Sequence, residues 1–246
     1  MAKNRAERIE RTVQWLRAKA AEAGVKGLVV GLSGGLDSAV CACLIKKAFP
    51  DDSLAVLMPC HSHPGDGEDA RKLIAACGIR AVEVDITALH AELMAAALTA
   101  LGADTPTRMA DANLRARLRM STLYFIANLH NYLVVGTDNA AELYTGYFTK
   151  YGDGGVDLLP LARLKKYEVR EWAEHLGVPP EIISKPPSAG LWQGQTDEAE
   201  MGTSYAMIDA LLDGEVIPER DRTIIERLHR ISAHKRSMPP QPPEEE

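Results

Sequence analysis

Apolar positions along the chain follow two alternating patterns, short β-branched runs and longer segments with helical spacing. The short runs predict strands at residues 27–32, 54–59, 81–86 and 132–137. The longer segments predict helices at residues 37–48, 66–77, 87–101 and 111–130. A further helix is predicted from about Lys165 to Gly177, where a glycine followed by two prolines ends it. Strands that alternate with helices are typical of an α/β fold, a three-layer, doubly wound parallel sheet covered on both faces.

Length and composition limit the domain organisation and the partners. The 246 residues are 46% hydrophobic, enough for one substantial core, and we expect a single domain over residues 1–238. The proline-rich, acidic residues 239–246 have too little apolar content to pack, which predicts a disordered tail. A formal charge of −6 gives the chain no overall attraction to nucleic acid, so no nucleic-acid partner is expected.

The cellular compartment follows from what the sequence lacks. No apolar run approaches the ~20 residues that span a bilayer, and the charged start of the chain does not resemble a signal peptide. The four cysteines form neither a CxxC pair nor a zinc-like spacing; they are Cys41, Cys43, Cys60 and Cys77. We therefore expect a soluble, cytoplasmic protein without a membrane partner.

The segment "GLSGGLDSA", Gly31 to Ala39, joins the first predicted strand to the following helix. It lacks the lysine of GxxxxGK[ST], and its glycines do not fit GxGxxG. Glycines nevertheless let the backbone approach a ligand closely, and the N–H groups at the start of the helix form an anion site. Asp37 would repel a bare phosphate, which indicates a divalent cation that bridges it to a nucleotide triphosphate. The alternative is that Asp37 only caps the helix.

The motif "SGGLDS" is similar throughout to the SGGxDS signature of the ATP pyrophosphatase superfamily. Members of that superfamily split ATP between the α and β phosphates and adenylate a substrate. The resemblance implies an adenine-nucleotide α-hydrolase-like fold and a catalytic contribution from Ser33. It implies ATP contacts from every residue of the loop, namely Gly31, Leu32, Ser33, Gly34, Gly35, Leu36, Asp37 and Ser38.

Four later segments resemble NAD synthetase in the family's own order. They are "NLRARLRM" (113–120), "GTDNAAE" (136–142), "GYFTKYGDGGVDLLPLARLKK" (146–166), and "KPPSAGL" followed by "DEAEMGTSYAMIDALLDG". The resemblance extends over about residues 5–237. It implies that ATP activates the carboxylate of deamido-NAD as an acyl-adenylate, with release of pyrophosphate, and that ammonia then displaces AMP to form NAD.

The block "GTDNAAE" supplies the expected second metal ligand. A strand that ends at Thr137 and a helix that starts at Asp138 or Asn139 would place Glu142 near the mouth of the sheet. The resemblance makes Glu142 a Mg²⁺ ligand beside Asp37 and makes Thr137 an ATP contact. A capped, solvated helix start is the alternative for this block taken alone.

The remaining site residues come from the resemblance only. It implies that Lys166 contacts the ATP phosphates, that Ser188 contacts ATP, and that Asp153 lies near the attacking ammonia. The residues expected to bind deamido-NAD are Arg117, Lys150, Asp157, His234 and Lys235. From composition alone, "KYGDGGVD" is equally consistent with a surface loop and Lys166 with a solvated lysine.

The helix that contains "NLRARLRM" has arginines on two faces. Arg115 and Arg119 share one face and Arg117 lies on roughly the opposite one. We expect Arg115 and Arg119 to be solvated or paired with acids. Family members pair through a long helix of this kind, so the resemblance implies a homodimer, and an ordinary core-facing helix is the alternative.

The segment "CHSHPGDGEDA" suggests a metal site through Cys60, His61 and His63. No second cluster supplies further ligands at a recognisable spacing, so we expect instead a loop that closes over ATP. A second such loop is expected at about 188–197, where Gly190 stands in place of the family's aspartate.

The nitrogen donor is predicted to be free ammonia. The synthetase blocks occupy nearly all of residues 5–237, which leaves no room for a fused glutaminase domain, and no cysteine has an amidase-like setting. Two competing functions remain, a sister ligase such as the synthetase part of GMP synthetase and a non-catalytic nucleotide-binding module. The "KYGDGGVD" block argues against the first, and the two expected metal ligands argue against the second.

Overall fold

The computed structural model describes residues 5–62, 64–188 and 196–243. Within these residues the strands are β1 (Gly27–Gly31), β2 (Ser53–Leu57), β3 (Arg80–Glu83) and β4 (Tyr132–Val135). The helices of the first half are α1 (Arg5–Glu22), α2 (Leu36–Ala48), α3 (Pro64–Cys77), α4 (Thr87–Leu101) and α5 (Arg108–His130). Those of the second half are α6 (Ala140–Thr145), α7 (Lys166–Leu176), α8 (Pro180–Ser184), α9 (Asp197–Met201), α10 (Tyr205–Leu212) and α11 (Glu219–Ile231). A short 3₁₀ helix, Ala233–Lys235, follows.

The four strands form one parallel sheet in the order β3-β2-β1-β4. Strand β1 pairs with β2 on one side and with β4 on the other, so the strand order reverses beside β1. In sheets of this kind ligands bind at such a switch point, outside the carboxyl ends of the strands. The predicted parallel α/β sheet is therefore confirmed, and it brings the segments after β1 and β4 side by side.

Helices cover both faces of the sheet, as the apolar strands predict. Leu28 and Val30 of β1 face a core shared with α1, α2 and α7, in which Trp172 is among the largest fully buried side chains. Val29 faces the opposite core, which includes Leu123 of α5. Alternate residues of one strand thus enter two cores, which makes three layers. A third apolar cluster joins α6, α10 and α11 beside the sheet.

Element boundaries depart from the predicted ones at the ends of the elements. Each strand ends one to three residues earlier than predicted, because the last residues of the runs enter the loops that form the site. Helix α5 begins at Arg108, earlier than predicted, because the Thr107 hydroxyl accepts a hydrogen bond from the Ala110 N–H at 3.2 Å.

Two other expectations concern the chain as a whole. Among the described residues no helix has both the length and the apolar character required to cross a bilayer. The division into a domain over 1–238 and a disordered tail stays a prediction, and residues 244–246 of that tail lie outside the described residues.

Candidate active site

The glycine-rich loop runs from β1 to α2 at the carboxyl end of the sheet. Gly34 has a φ of +80°, and a Cβ on it would lie 2.3 Å from the carbonyl oxygen of Asp66. Only glycine fits this close approach of the loop to α3. Gly35 is the N-cap of α2 and provides no side-chain cap. The backbone N–H groups at this helix end are therefore suited to an anionic ligand.

Two hydroxyls hold the loop in shape. The Oγ atoms of Ser33 and Ser38 lie 3.0 Å apart, and the Gly35 N–H donates to Ser33 Oγ at 3.2 Å. Ser38 Oγ donates to the Gly35 carbonyl at 3.0 Å. These short-range contacts preorganise the loop before any ligand binds.

Asp37, Glu142 and Lys166 converge at one point, and we call them the acid–lysine cluster. Lys166 Nζ lies 2.5 Å from Asp37 Oδ2 and 3.3 Å from Glu142 Oε1. Asp37 is not the cap of α2, so the interpretation of this residue as a simple helix cap is wrong. Lys166 is only 3% exposed, so the solvated-lysine alternative is wrong as well.

Burial and charge set the protonation of this cluster. Burial raises the pKa of Glu142 to about 7, against the opposing effect of the Lys166 ammonium. For Lys166, burial alone would lower the pKa, but the carboxylates of Asp37 and Glu142 outweigh burial and raise it. The lysine is therefore a fixed positive charge in a buried position.

Asn139 and Tyr205 orient the two carboxylates, and the sequence analysis missed both. Asn139 Nδ2 donates to Asp37 Oδ1 at 3.0 Å, while Asn139 and Glu142 form a reciprocal capping box at the start of α6. The Tyr205 hydroxyl donates to Glu142 Oε1 at 2.9 Å, and Lys166 Nζ lies 4.6 Å from the centre of its ring. The spacing of Asn139 and Glu142 signals the capping box, but no local signal links Tyr205 to it.

Asp138 is a third carboxyl group of the site that the sequence analysis did not assign. It is 4% exposed, and its Oδ2 atom has no hydrogen-bond partner among the described residues. Burial raises its pKa well above the ordinary value, and the negative charges of Asp153, Glu142 and Asp37 raise it further. Asp37, Glu142 and Asp138 thus outnumber Lys166, the lysine that contacts the first two, which favours binding of cations.

Four basic residues predicted as one binding group come together elsewhere in the site, and we call them the basic cluster. They are Arg117, Lys150, His234 and Lys235. An Arg117 guanidinium N–H donates to the Lys150 carbonyl at 3.4 Å, and Lys150 Nζ donates to the His234 carbonyl. Lys235 Nζ donates to the carbonyls of Gly146 and Phe148 at 2.8 and 2.6 Å. The side chains of Arg117, Lys150 and Lys235 are thus held by main-chain carbonyls, and His234 supplies one of these carbonyls.

Two predicted site acids make contacts within the protein. Both oxygens of Asp157 are used, since the Val134 N–H donates to Oδ2 at 2.8 Å and the Tyr124 hydroxyl to Oδ1 at 3.0 Å. Asp157 thereby joins its loop to β4 and α5. Asp153 Oδ1 accepts the Thr149 N–H at 2.8 Å within its own loop. Their predicted roles toward substrate and ammonia stay predictions.

The remaining predicted residues lie at the edges of the site. Thr137 follows β4 and is half-buried, and Ser188 is exposed. Gly190 and most of the predicted second loop lie outside the described residues. The preceding Lys185 forms ion pairs of 2.8 Å with Asp66 and Asp69 of α3. The segment that leads into the predicted second loop is thus held against α3.

The positions of the arginines in α5 differ in one respect from the expectation that Arg115 and Arg119 are solvated or paired with acids. Arg115 is buried and paired with Asp111, whereas Arg117 is exposed, as their opposite faces predict. Arg119 is neither solvated nor paired with an acid in a salt bridge between described residues. Its Nε donates to the Met58 carbonyl at 3.1 Å, because the loop after β2 packs on this face of α5.

Comparisons with known proteins agree with this geometry. Residues 8–239 match the family model described as NAD synthase. The chain is 59% identical to the NH(3)-dependent NAD(+) synthetase of Alkaliphilus oremlandii, over 98% of this chain and 99% of that protein. A solved NMN synthetase from Francisella tularensis is 40% identical with a TM-score of 0.93, covering 98% of this chain and 99% of that one. An NH3-dependent NAD synthetase from Campylobacter jejuni is 27% identical with a TM-score of 0.81, covering 98% and 100%.

Proposed function

The chain belongs to the NAD synthase family, and from this membership we propose that it converts deamido-NAD to NAD with ATP and ammonia. The observation that carries the proposal is the convergence of Asp37, Glu142 and Lys166 from three separate segments. All three lie where the glycine-rich loop ends at the carboxyl edge of the sheet. This arrangement suits the binding and splitting of a nucleotide triphosphate.

The reaction requires activation of a poor electrophile. The nicotinate carboxylate attacks the α-phosphorus of ATP, the bond to pyrophosphate breaks, and an acyl-adenylate forms. Ammonia then attacks the acyl carbon and AMP leaves with the bonding electron pair. The loop N–H groups and the Lys166 ammonium stabilise the negative charge that grows on the phosphates during the first step.

The carboxylates of the cluster fit Mg²⁺, and we propose that Asp37 and Glu142 hold it. Carboxylate oxygens are the ligands that Mg²⁺ prefers, together with phosphate oxygens. Asp138 adds a third acidic group, one oxygen of which has no hydrogen-bond partner in the described ranges, so Lys166 alone does not neutralise the site. When bound, Mg²⁺ supplies positive charge to the triphosphate. Asn139 and Tyr205 keep both carboxylates oriented for this role.

We propose that Asp153 positions the attacking ammonia beside the acyl-adenylate, with Asp138 as its neighbour. The two carboxyl groups interact electrostatically, and together they form an acidic surface that attracts ammonium. One of them must accept the proton that ammonium loses before it attacks. The basic cluster, whose Lys235 interacts electrostatically with Asp153 and Asp138, is suited to the phosphates of deamido-NAD.

The nitrogen donor tests the proposed function directly. The purified chain should form NAD, AMP and pyrophosphate from deamido-NAD with ammonium chloride, and none with ammonia-free glutamine. At fixed total ammonium the rate should rise from pH 7 to pH 9, because only unprotonated ammonia has a lone pair for attack. Glutamine-driven synthesis by the purified chain, or pyrophosphate release without deamido-NAD, would contradict the proposal.

Nicotinate mononucleotide is a second candidate substrate. The solved NMN synthetase matches this chain with a higher TM-score than the C. jejuni NAD synthetase, 0.93 against 0.81. Both substrates carry the same nicotinate carboxylate and differ by an adenylate group. The kcat/KM values of the two, measured with saturating ATP and ammonium, decide between them. A kcat/KM at least tenfold higher for nicotinate mononucleotide would show that this compound, and not deamido-NAD, is the principal substrate.

We also propose a homodimer formed through α4 and α5. These helices expose several large apolar side chains, namely Leu89, Leu93, Leu101, Met109, Phe125 and Leu129. A second copy would cover this apolar surface through a two-fold axis, and dissociation should weaken deamido-NAD binding. Light scattering should show a dimer that Phe125→Asp dissociates. The matched control is Val216→Asp, which alters an apolar residue 95% exposed elsewhere. A monomeric, fully active parent would contradict the dimer.

A further inference from the structure

Three potential metal ligands lie together outside the acid–lysine cluster. Ligand atoms of Cys60, His61 and His90 all lie within 4.8 Å of one another. Cys60 and His61 follow β2, and His90 comes from the first turn of α4. Sequence spacing did not reveal this third residue, because the fold brings His90 from a separate helix, and the His63 of the segment lies outside the described residues.

His90 is buried without the hydrogen bonds that an imidazole normally makes. It is 1% exposed, and neither ring nitrogen has a hydrogen-bond partner within the described part of the chain. Nε2 lies 2.9 Å from Asp111 Oδ1, but the approach lacks hydrogen-bond geometry. A buried polar atom without a partner is destabilising, so such a histidine indicates a missing ligand.

The neighbouring residues hold the other two ligands in place. His61 has a φ of +53°, a left-handed conformation uncommon for a residue other than glycine, and its ring lies edge-on to that of His90 at 5.7 Å between centroids. Arg119 donates to the Met58 carbonyl and to the Ser62 hydroxyl, on either side of Cys60. The segment is thus fixed with its side chains directed to one point.

We propose that Cys60, His61 and His90 bind one Zn²⁺ ion, with water in the fourth position. One thiolate and two imidazoles are ligands that suit Zn²⁺ and not Mg²⁺. On binding, the Cys60 thiol releases its proton to solvent and its sulfur forms the metal bond. A small rotation of the His90 ring would let one nitrogen donate to Asp111 while the other binds the metal.

Zinc at this position joins the segment after β2 to α4. That segment leads into α3, whose Asp66 carbonyl contacts the glycine-rich loop at Gly34. The ion therefore acts as a structural clamp beside the nucleotide loop. It is distinct from the Mg²⁺ proposed at Asp37 and Glu142.

The test measures Zn²⁺ binding by the full-length chain. Bound metal is first removed by chelation, and the chain is then kept in excess Mg²⁺. The parent should bind one Zn²⁺ per chain with a rise in Tm, and Co²⁺ should give a thiolate charge-transfer band in the near ultraviolet. Cys60→Ser and His61→Ala should each lose the band and at least tenfold in Zn²⁺ affinity. Because His61 is exposed, its variant should fold as the parent does.

Matched controls separate this site from the other cysteines and acids. Cys77→Ser, His130→Ala and Asp37→Ala should keep one bound Zn²⁺ and the cobalt band. A parent that binds no zinc, a cobalt spectrum without a thiolate band, or unchanged binding in Cys60→Ser would overturn the proposal. Loss of the ion in Asp37→Ala or Cys77→Ser would do the same.

Discussion

The acid–lysine cluster and the basic cluster hold their charges in different ways. Asp37, Glu142 and Lys166 contact one another, and the lysine is 3% exposed. In the basic cluster the cations donate to main-chain carbonyls, and Arg117 and His234 are exposed. Removing a member of the first group leaves a buried charge without its partner. Removing one from the second exposes a carbonyl to water, so the two clusters should respond differently to mutation.

The largest effect is expected for Lys166→Met. Two carboxylates then lose their buried counter-ion, which should lower the free energy of unfolding by about 3–5 kcal/mol and abolish turnover. Urea unfolding measures the first effect. The matched control is Lys72→Met, a half-exposed lysine paired with Asp69 and Glu181, which should lower the free energy of unfolding far less because solvent screens its ion pairs. Addition of Asp37→Asn to Lys166→Met should recover part of the stability and none of the activity.

Equal costs for Lys166→Met and Lys72→Met would show that burial does not distinguish the cluster from a surface ion pair. Full additivity of Lys166→Met and Asp37→Asn would likewise contradict their contact.

The next effect concerns the two carboxylates. Asp37→Ala and Glu142→Ala should each lower kcat on the order of 100-fold, about 3 kcal/mol, because each removes a proposed Mg²⁺ ligand. Steady-state kinetics across a Mg²⁺ titration measures this, and Asp51→Ala, a change at an exposed aspartate, should leave kcat unchanged. Activity within threefold of the parent in both variants would contradict the proposal that the two carboxylates bind Mg²⁺.

A smaller effect is expected in the basic cluster. Arg117→Ala and Lys150→Ala should each raise KM for deamido-NAD roughly tenfold, about 1.5 kcal/mol, with kcat within threefold of the parent. Arg11→Ala, at an exposed arginine of α1, provides the control. A fall in kcat without a change in KM would mean that these cations act in the transition state, as the acid–lysine cluster does.

The smallest effect is expected for Asp138→Asn and depends on pH. Burial raises the pKa of Asp138 in the folded state, so the unfolded state loses this proton first, from about pH 4 upward. The contribution of Asp138 to stability is therefore present below pH 4 and is lost as pH rises toward the folded pKa. Denaturant unfolding from pH 4 to pH 7 should show a smaller decline for Asp138→Asn than for the parent. Parallel profiles would mean that Asp138 is paired in solution.

Much of the fold could be predicted from local pattern. Strands with apolar residues on both faces require cover on both sides, so their alternation with helices indicates a three-layer parallel sheet. The loop "SGGLDS" was predictable because its glycines and its place between strand and helix are local properties. Gly34 illustrates this, since its positive φ is a property of the turn itself, whereas the close approach of Asp66 is a tertiary contact.

Asn139 and Tyr205 show where prediction of the site stopped. Asn139 could have been noticed as a helix cap, but its bond to Asp37 joins residues far apart in the chain. Tyr205 reaches Glu142 from α10, through packing against α6 and α11 that no local pattern specifies. Contacts between distant segments depend on how whole elements pack.

The sequence by itself determined the order of the four strands and of the helices between them, the parallel sheet, the nucleotide loop and the family, because these depend on short-range spacing and on blocks in a fixed order. Only the tertiary structure decided which charges meet. It paired Lys166 with Asp37 and Glu142, left one oxygen of Asp138 without a hydrogen-bond partner among the residues that the structure describes, and brought His90 to Cys60. The physical reason is that burial and partner distance set the energy of a charge or an imidazole, and both are properties of the packed chain.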